Sequence, residues 1–513
     1  MMSKVKTHFI PVLFLLTVTC AFSLSLLFCP YSRETFGHDA GIFAYIGYAV
    51  TRGVPLYTGA WDNKGPLLYI IDALGIVIHY RYGIFLLEFI ALFLTLLFMY
   101  KTALFFAPRY VAAISAVLSA MPLTVTLEGG NLSEEWALPF TAAAFYFIVK
   151  FFCNRYSLRK IEMMIVGACI AAIVLLKLNI IMFIAVAVLG VIIVLVKEKQ
   201  IKTLITVTLF SLAGFLIFTA PFAIWLIMTD SLSACLETAY FGAVGAFSEI
   251  PQMTRITNVF SMVFAFIQSG GFFIIILFGS VLPFYLYKTK GQGNTLKTLL
   301  IICFFGLFAT LAGNSVSGEG YNHYFTSFVP VMLLPTVWFS RAVYTFLCTN
   351  NARSFAANAA VLAFAFLISM DSVAVLKGNI TNNLRNGTDS YLYDPCILIS
   401  DYVRANSSPD DTVQLFGDGP VVTSYYRAGR IAASNHFYFG NGRFTEEIKR
   451  EFANEILRDI KEARPKILLF TEHQLWDFTQ HLDDPGEFDK FLEENYTVDE
   501  NNFSCFTYLR TGG

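Results

Sequence analysis

Repeated apolar runs, many of them long enough to cross a lipid bilayer, most constrain what this chain can fold into. Crossing the hydrocarbon core takes about 20 mainly apolar residues. The 513 residues are 56% hydrophobic and 14% charged, whereas a soluble domain has about 25% charged residues, so an ordinary soluble fold is excluded. The sequence therefore predicts a polytopic α-helical membrane protein with about eleven spans, near residues 8–29, 84–106, 110–127, 136–152, 161–177, 179–196, 203–228, 257–287, 298–312, 323–345 and 355–376.

One apolar stretch, residues 161–196, is too long for a single span. At ~1.5 Å per residue it would extend about 54 Å, against a hydrocarbon core of about 30 Å. Its only polar interruption is Lys177-Leu178-Asn179. We therefore predict that one helix ends and another begins at this tripeptide.

The distribution of basic residues predicts the orientation in the membrane, because loops on the inner side carry an excess of lysine and arginine. Lys4 and Lys6 precede the first run, which is long for a signal peptide and lacks a small-residue cleavage site, so we expect a retained helix with an inner N-terminus. With an odd number of spans, the C-terminus then lies outside. Lys64 and Lys177 fall on the predicted outer side, against this rule, so their presence needs an explanation other than topology.

The composition becomes soluble in type near residue 378. We predict a transmembrane domain over 1–377 and an extracytoplasmic α/β domain over 378–513, joined by the polar linker "KGNITNNLRNGTDS". "TVQLF" and "KILLF" have strand character, and residues 445–464 have apolar positions at helical spacing. Cys396 and Cys505 in this domain are either two buried thiols or one disulfide.

The stretch from His38 to Gly75 combines apolar and charged residues on the predicted outer side. Asp39 is either a favourable acid at a helix N-terminus or a carboxylate that takes a proton from an acceptor hydroxyl. Lys64 is either a lysine reaching the headgroups or a phosphate contact, and Asp62 is its ion-pair partner or one of several acids. The tyrosines of this stretch are expected at headgroup depth, namely Tyr45, Tyr48 and Tyr57.

Three further outer segments supply polar side chains. In the 127–140 loop, Glu134 is either a first-turn helix acid or a site residue, and Glu128 and Glu135 share that ambiguity. Lys177 is costly among apolar residues unless it is paired with a phosphate or with a glutamate of that loop. His323, at the mouth of a late helix, is a hydrogen-bond donor to a phosphate, a metal ligand or a residue with only a structural hydrogen bond.

Polar residues thus gather on one side, while the middles of the spans are almost free of charge. That pattern favours a reaction at the outer membrane face on a substrate with an anionic head over a channel or transporter. The net charge of -1 gives no sign of nucleic acid binding, and the nine cysteines lack metal-site spacing. Glycine-rich phosphate cradles are absent from the short inner loops, which disfavours a nucleotide-sugar transferase.

The motifs resemble those of the GT-C glycosyltransferases, in particular the family 39-like branch of bacterial relatives of protein O-mannosyltransferases and of the lipid A aminoarabinose transferase. The resemblance covers about residues 8–345 and is carried by Asp39 after the first span, the loop "WDNKGP" (61–66), "NLSE" (131–134), "KLN" (177–179) and "HY" (323–324). It implies a GT-C fold and a polyprenyl-phosphate sugar donor, whose sugar is transferred with inversion on the extracytoplasmic side.

The resemblance also implies residue roles. Asp39 is expected to be the catalytic carboxylate and Lys64 a donor-phosphate contact. The other residues expected to bind substrate are His38, Asp62, Glu134, Lys177, Asn179, His323 and Tyr324. Asp39-Ala40 stands where the family often has an acidic pair, so no cofactor is assigned and a divalent metal ion stays open. Lys64-Gly65-Pro66 replaces the common Lys-Pro-Pro, which suggests a more flexible loop.

The function predicted from the sequence is that of an inverting hexosyl- or pentosyltransferase in the plasma membrane. Its acceptor would be a lipid-linked glycan, a cell-envelope polymer or a protein. A polymerase or ligase of lipid-linked glycans is the first alternative. Such proteins should have a long outer loop with arginines, whereas the predicted outer loops of this chain are poor in arginine. A lipid or solute transporter is the second alternative.

Overall fold

The computed structural model describes residues 2–32, 38–242, 253–254, 256–258, 260–261, 263, 292–315, 320–349, 363, 370–385, 395–417, 419–439, 445–499 and 505–511. The described residues before 386 are mainly helical, with α1 (Met2–Leu24), α2 (His38–Thr51), α3 (Pro66–Ile78), α4 (Gly83–Ala103), α5 (Arg109–Ala120), α6 (Leu123–Thr126), α7 (Ser133–Cys153), α8 (Lys160–Leu176), α9 (Met182–Lys197), α10 (Ile201–Met228), α11 (Leu232–Cys235), α12 (Gln292–Ser315), α13 (Val329–Thr349) and α14 (Met370–Arg385). Short 3-10 turns at Leu178–Ile181 and Asn322–Phe328 precede α9 and α13, and a π-helical turn, Leu236–Gly242, follows α11.

Within the described residues, seven helical segments are long and apolar enough to cross a membrane: Gly83–Ala103, Arg109–Thr126, Ser133–Cys153, Leu178–Lys197, Ile201–Met228, Asn294–Ser315 and Asn322–Thr345. Each overlaps a predicted span, so the chain is a polytopic helical membrane protein. The apolar part of α1 is shorter, and α8 has 17 residues. The predicted spans at 257–287 and 355–376 lie mainly outside the described residues, so the total number of spans stays a prediction.

The long apolar stretch is interrupted where the sequence predicted. Helix α8 ends at Leu176, Lys177 is extended, and the 3-10 turn begins at Leu178. Helix α8 packs against α10 at very short range, because a Cβ on Gly167 would lie 1.7 Å from the Ser211 carbonyl oxygen. Small residues at helix contacts let membrane helices approach closely. This contact helps to fix the orientation of α8, and therefore the position of Lys177 at its end.

Helix α2 is buried, so the tyrosines of this region contact other parts of the chain, and their headgroup depth stays a prediction. The Tyr45 ring packs 4.4 Å from the ring centre of Phe437, and the Tyr48 hydroxyl donates to the Gly429 carbonyl at 2.9 Å. The Tyr57 hydroxyl donates to the Lys64 carbonyl at 2.8 Å. The carboxyl-terminal part of the chain covers α2, and sequence periodicity cannot reveal such a distant partner.

The carboxyl-terminal part contains a five-stranded mixed sheet in the order β2-β1-β3-β5-β4. Its elements are α15 (Pro395–Asn406), β1 (Thr412–Phe416), α16 (Gly419–Ala428), β2 (Ile431–Ala432), α17 (Glu446–Ala463), β3 (Ile467–Thr471), α18 (Glu472–Gln480), α19 (Pro485–Asn495), β4 (Tyr496–Asp499) and β5 (Cys505–Arg510). The two predicted strands are the parallel pair β1 and β3, and the predicted helix is α17, which Thr445 caps. The side chain of Cys505 lies outside the described residues, so its relation to Cys396 stays open.

The predicted linker is helical over its first part. Helix α14 continues to Arg385, and residues 386–394 lie outside the described residues. The Asn383 amide donates to the carbonyls of Leu24 and Leu26 at 2.9 and 3.0 Å. The asparagines that made this segment resemble a linker are thus hydrogen-bonding partners of the transmembrane part, a tertiary effect that overrides their weak helix propensity.

Candidate functional site

The predicted site residues converge on Lys177, at the turn between α8 and the next helix. The Lys177 ammonium donates to Glu134 Oε1 at 2.7 Å and lies 4.6 Å from the centre of the Tyr324 ring. Glu134 is 2% exposed and also accepts from the Ser133 hydroxyl at 2.9 Å. Of the two partners that the sequence left open for Lys177, the structure contains the glutamate.

Lys177 stays charged although it is largely removed from water. Burial alone would lower the pKa of an ammonium, but the carboxylates of Glu134 and, more weakly, Asp39 raise the pKa of Lys177 above its ordinary value. The charge of Asp39 therefore acts on Lys177. Asp39 itself is in the first turn of α2 and is partly exposed, a favourable place for an acid beside the helix N-terminus.

His323 and Tyr324 extend this cluster on the side of the 3-10 turn before α13. The His323 Nδ1 atom lies 2.7 Å from Glu128 Oε2, and the His323 ring meets the Tyr324 ring edge to face at 4.7 Å. Tyr321 stacks on the other face of His323 at 5.3 Å. A continuous line of contacts thus runs from Glu128 through His323 and Tyr324 to Lys177.

The loop that carries Lys64 is held directly against the end of α8. The Gly65 backbone N–H donates to the Leu176 carbonyl at 3.0 Å, and a Cβ on Gly65 would lie 2.1 Å from the Leu175 oxygen. Glycine is thus required for close approach, which corrects the prediction of a more flexible loop. This contact brings the Lys64 backbone beside Lys177, the other lysine that the sequence predicts to lie outside.

Lys64 and Asp62 do not form an ion pair with each other in the described structure. The Lys64 ammonium donates to the Asn63 side-chain oxygen at 2.6 Å and lies 5.6 Å from the Phe43 ring centre. The buried Asp62 carboxylate accepts from the Tyr69 hydroxyl at 2.7 Å. Asp62 therefore fixes the loop, and the ammonium of Lys64 is held by a neutral partner.

The loop also contacts the carboxyl-terminal part of the chain. The Trp61 backbone N–H donates to the Asn435 carbonyl at 2.9 Å, and its ring lies 5.6 Å from His436 and 5.2 Å from Phe452. His436 is in turn 2.9 Å from Glu455. The sheet domain and the Lys64 loop are consequently parts of one packed assembly.

The start of α2 is anchored by a second polar cluster. Asn131 donates from its amide to the Ala40 carbonyl at 3.3 Å and to Asp72 at 3.1 Å. Its backbone N–H donates to Glu88 at 2.7 Å, and its side-chain oxygen accepts from Trp136 at 2.8 Å. Because Ala40 follows Asp39, Asn131 is in a position to set where the Asp39 backbone lies.

Asp72 and Glu88, together with Glu135, are completely buried. Of the three, only Glu88 falls within a predicted span, near the start of the 84–106 segment. These acids lie at helix contacts around Asn131 rather than along a single apolar run. Asp72 and Glu88 are joined through Asn131, which donates to both carboxylates.

The remaining predicted residues differ in how far the structure describes them. Asn179 is in the 3-10 turn and its amide lies 3.4 Å from the Gly313 carbonyl, while its buried Oδ1 has no hydrogen-bond partner within the described structure. His38 is the first residue of α2, but its side chain lies outside the described residues. In the described part of the chain, no three or more His, Cys, Asp and Glu side chains are arranged to hold a metal ion.

Sequence reasoning weighed Glu128 but left it out of the expected site residues, and it did not select Asn131 or Tyr69. A signal was present for the first two in "EGGN", because adjacent glycines allow an unusual backbone path. The structure has positive φ angles of 46°, 101°, 96° and 54° at residues 128–131. Backbone strain of this kind clusters at functional sites, and here it turns Glu128 toward His323 and Asn131 toward the start of α2.

Comparison with known families gives one sequence match. The model described as "Putative competence-induced protein Ccs4 N-terminal domain" matches residues 3–345, which include every predicted site residue. No curated protein matches the chain in sequence.

Solved structures share the fold across nearly the whole chain. ArnT from Cupriavidus metallidurans, bound to undecaprenyl phosphate, has a TM-score of 0.59 at 10% identity, covering 98% of this chain and 98% of that chain. The Archaeoglobus fulgidus oligosaccharyltransferase in complex with Zn and sulfate has a TM-score of 0.55 at 15% identity, covering 97% of this chain and 73% of that chain. Oligosaccharyltransferase AglB from the same organism, in complex with an inhibitory peptide and a dolichol-phosphate, has a TM-score of 0.50 at 15% identity, covering 98% and 74%. This chain therefore has a GT-C-like fold.

Proposed function

This chain belongs to the competence-induced protein Ccs4 family, and we propose that it is an inverting glycosyltransferase. It would move a hexosyl or pentosyl group from a polyprenyl-phosphate donor to an acceptor at the outer face of the plasma membrane. The acceptor would be a lipid-linked glycan, a cell-envelope polymer or a protein. The N-terminus would face the cytoplasm and the sheet domain would lie outside it.

The observation that carries the proposal is the buried, charged Lys177 at a helix end, beside the loop that carries Lys64. Two ammonium groups on neighbouring segments suit a phosphate, which each can bind as a point charge. The solved structures of similar fold contain undecaprenyl phosphate or dolichol-phosphate, which supports a polyprenyl phosphate as the donor carrier.

The proposed reaction needs a base on one side of the sugar and positive charge on the other. Asp39 would take the proton from an acceptor hydroxyl, whose oxygen then attacks the anomeric carbon. The bond from that carbon to the phosphate oxygen breaks, and the phosphate leaves with the bonding electrons. Lys177 and Lys64 would stabilise the charge that develops on the phosphate, so no proton donor for the leaving group is required.

A divalent metal ion is not given a role in this mechanism. Glu134 is already bonded to Lys177, and Glu128 is bonded to His323. The acids and the histidine of the site are therefore occupied in separate pairs rather than converging on one point, and the neutralisation of charge is assigned to the lysines.

A lipid or solute transporter is the second candidate. The specific observation in its favour is the buried cluster of Asp72, Glu88 and Glu135, because buried acids within membrane helices often serve ion pathways. The bonds of Asp72 and Glu88 to Asn131 offer a structural role for those two acids instead, and the glycosyltransferase is favoured for that reason.

The test is transfer of radiolabelled sugar from a panel of defined polyprenyl-phosphate sugars, with wild-type protein and Asp39→Asn. We expect wild-type transfer from at least one donor and loss of at least about a hundredfold in the variant, the scale of general base catalysis. Asp371→Asn is the matched control, because Asp371 is also a first-turn acid but is exposed on α14. Near-normal transfer by a folded Asp39→Asn protein would leave Asp39 as a helix-terminal acid only.

A further inference from the structure

A polar pocket borders Glu128, and Lys177, His323 and Tyr324 are not among its lining residues. Its volume is about 280 Å³, and the loop after α1, α6 and α14 form its walls. The polar residues among its lining are Ser25, Thr124, Glu128, Asn379, Asn382 and Asn383. This volume is close to the lower limit of about 300 Å³ for small-molecule sites, which suits a ligand the size of a monosaccharide.

Hydrogen bonds hold the walls of the pocket together. The Asn379 amide donates to the Thr124 carbonyl at 3.4 Å, and Asn383 bonds to the loop after α1. These contacts hold one face of α14 against the transmembrane part, since positions three and four residues apart lie on the same side of a helix. Asn382, on the same helix, lines the pocket and is exposed.

The chemistry of the lining selects a class of ligand. Among the lining residues that the structure describes, Glu128 carries the only charge, and no lysine or arginine contributes. Asparagine amides both donate and accept hydrogen bonds, as sugar hydroxyls do, and a carboxylate accepts from hydroxyls. An anionic ligand would be repelled by Glu128 and would find no cation.

The pocket is in contact with the proposed reaction site through Glu128. Its carboxylate is 2.7 Å from His323, whose ring meets Tyr324, and Lys177 lies over that tyrosine. A ligand that hydrogen-bonds to Glu128 would therefore lie beside the site proposed for the donor phosphate without sharing its cations.

We propose that this pocket is the subsite for a neutral saccharide unit of the acceptor. This proposal rests on the proposed function only where it identifies the saccharide as part of the acceptor. The binding of a neutral saccharide at Asn382 can be tested independently of the proposed function. The division is electrostatic, with the phosphate-linked sugar at the lysines and the uncharged, hydroxyl-rich unit at the asparagines.

The experiment is saturation-transfer NMR on the full chain in detergent, with a panel of neutral methyl glycosides and disaccharides. Wild-type protein should bind at least one of them, and Asn382→Leu, which keeps the side-chain size but removes the amide, should weaken its binding by about fivefold or more. Lys377→Ala is the control, because Lys377 is exposed on the same helix but does not line the pocket. It should bind like wild type.

A further arm separates this proposal from the proposed function: inorganic phosphate should not displace the saccharide. If no neutral saccharide binds, if Asn382→Leu binds like wild type, or if phosphate competes, the subsite is refuted even where sugar transfer from the donor is intact. If no polyprenyl-phosphate donor supports transfer but saccharide binding depends on Asn382, the proposed function fails and the saccharide site stands.

Discussion

Replacing Lys177 by methionine should have two separable effects, one on folding and one on donor binding. Lys177 is 2.7 Å from Glu134, with side chains that are 19% and 2% exposed. Loss of the ammonium leaves the buried Glu134 carboxylate with Ser133 as its remaining hydrogen-bond donor in the described structure. Breaking a buried ion pair from one side costs about 3–5 kcal/mol, so Lys177→Met should be clearly less stable than wild type.

The double variant Glu134→Gln/Lys177→Met removes this penalty, because neither partner is left charged and buried. Replacement of both members of a buried pair is often close to neutral, so stability should return to within about 1–2 kcal/mol of wild type. Donor affinity should not return if Lys177 binds the phosphate. A hydrogen bond to a charged group contributes about 1.5–3 kcal/mol, which corresponds to about tenfold to about a hundredfold weaker binding.

The assay pairs thermal unfolding in detergent with the affinity for undecaprenyl phosphate, measured on the single variants, the double variant and wild type. Glu134→Gln alone should keep most of the donor affinity, because the ammonium remains. Recovery of both stability and donor affinity in the double variant would show that Lys177 only balances Glu134, and would refute its role in phosphate binding.

Three further predictions address the loop, the sheet domain and the orientation. Gly65→Ala should destabilise the protein by about 1–3 kcal/mol and reduce transfer, because its Cβ would lie 2.1 Å from the Leu175 oxygen, whereas Gly378→Ala, with nothing within 4 Å, should have little effect on packing. The hydrogen bond from His436 lowers the pKa of Glu455. The stability that this bond provides is therefore present at neutral pH and is lost as the pH falls below about 4.3, the pKa of a glutamate in the unfolded chain. Over that acidic range, the free energy of unfolding of Glu455→Gln should fall less than that of wild type. A reporter fused after Gly513 should be active outside the cytoplasm and one near Lys199 inside, and the reverse result would overturn the assignment of the site to the outer face.

Local patterns were sufficient to predict the elements but not their partners. The break at Lys177 followed from the length of one apolar stretch, and strands β1 and β3 followed from short apolar runs in polar surroundings. Both predictions use residues that are adjacent in sequence. The same reasoning placed Tyr45 and Tyr48 at headgroup depth, because an apolar helix after a span suits an interface and the sequence does not reveal that a distant domain covers it.

The pairs that form the site are separated by long stretches of chain. Glu134 and Lys177 are 43 residues apart, and Glu128 and His323 are 195 residues apart. The sequence supplied the residue types, together with a glutamate of the 127–140 loop as one of two partners for Lys177. The residue pattern alone could not select among the three glutamates of that loop, and only the family resemblance singled out Glu134. The choice depends on positive φ angles at residues 128–131 and on how α7 packs.

The unequal influence of two carboxylates on Lys177 bears on the proposed reaction. Glu134 is in direct contact and has the larger effect, whereas Asp39 acts more weakly. Direct contact keeps the lysine charged in a site that is poor in water, so it can meet an anionic phosphate at any neutral pH. A carboxylate in the same direct contact with an ammonium group would have a lowered pKa and would be a poorer proton acceptor. Asp39 is partly exposed in the first turn of α2, and Asn131 holds the Ala40 carbonyl next to it. The site therefore separates the acid that maintains the cation from the acid proposed to act as base, and this separation is the reason Asp39→Asn and Glu134→Gln should give different kinetic phenotypes.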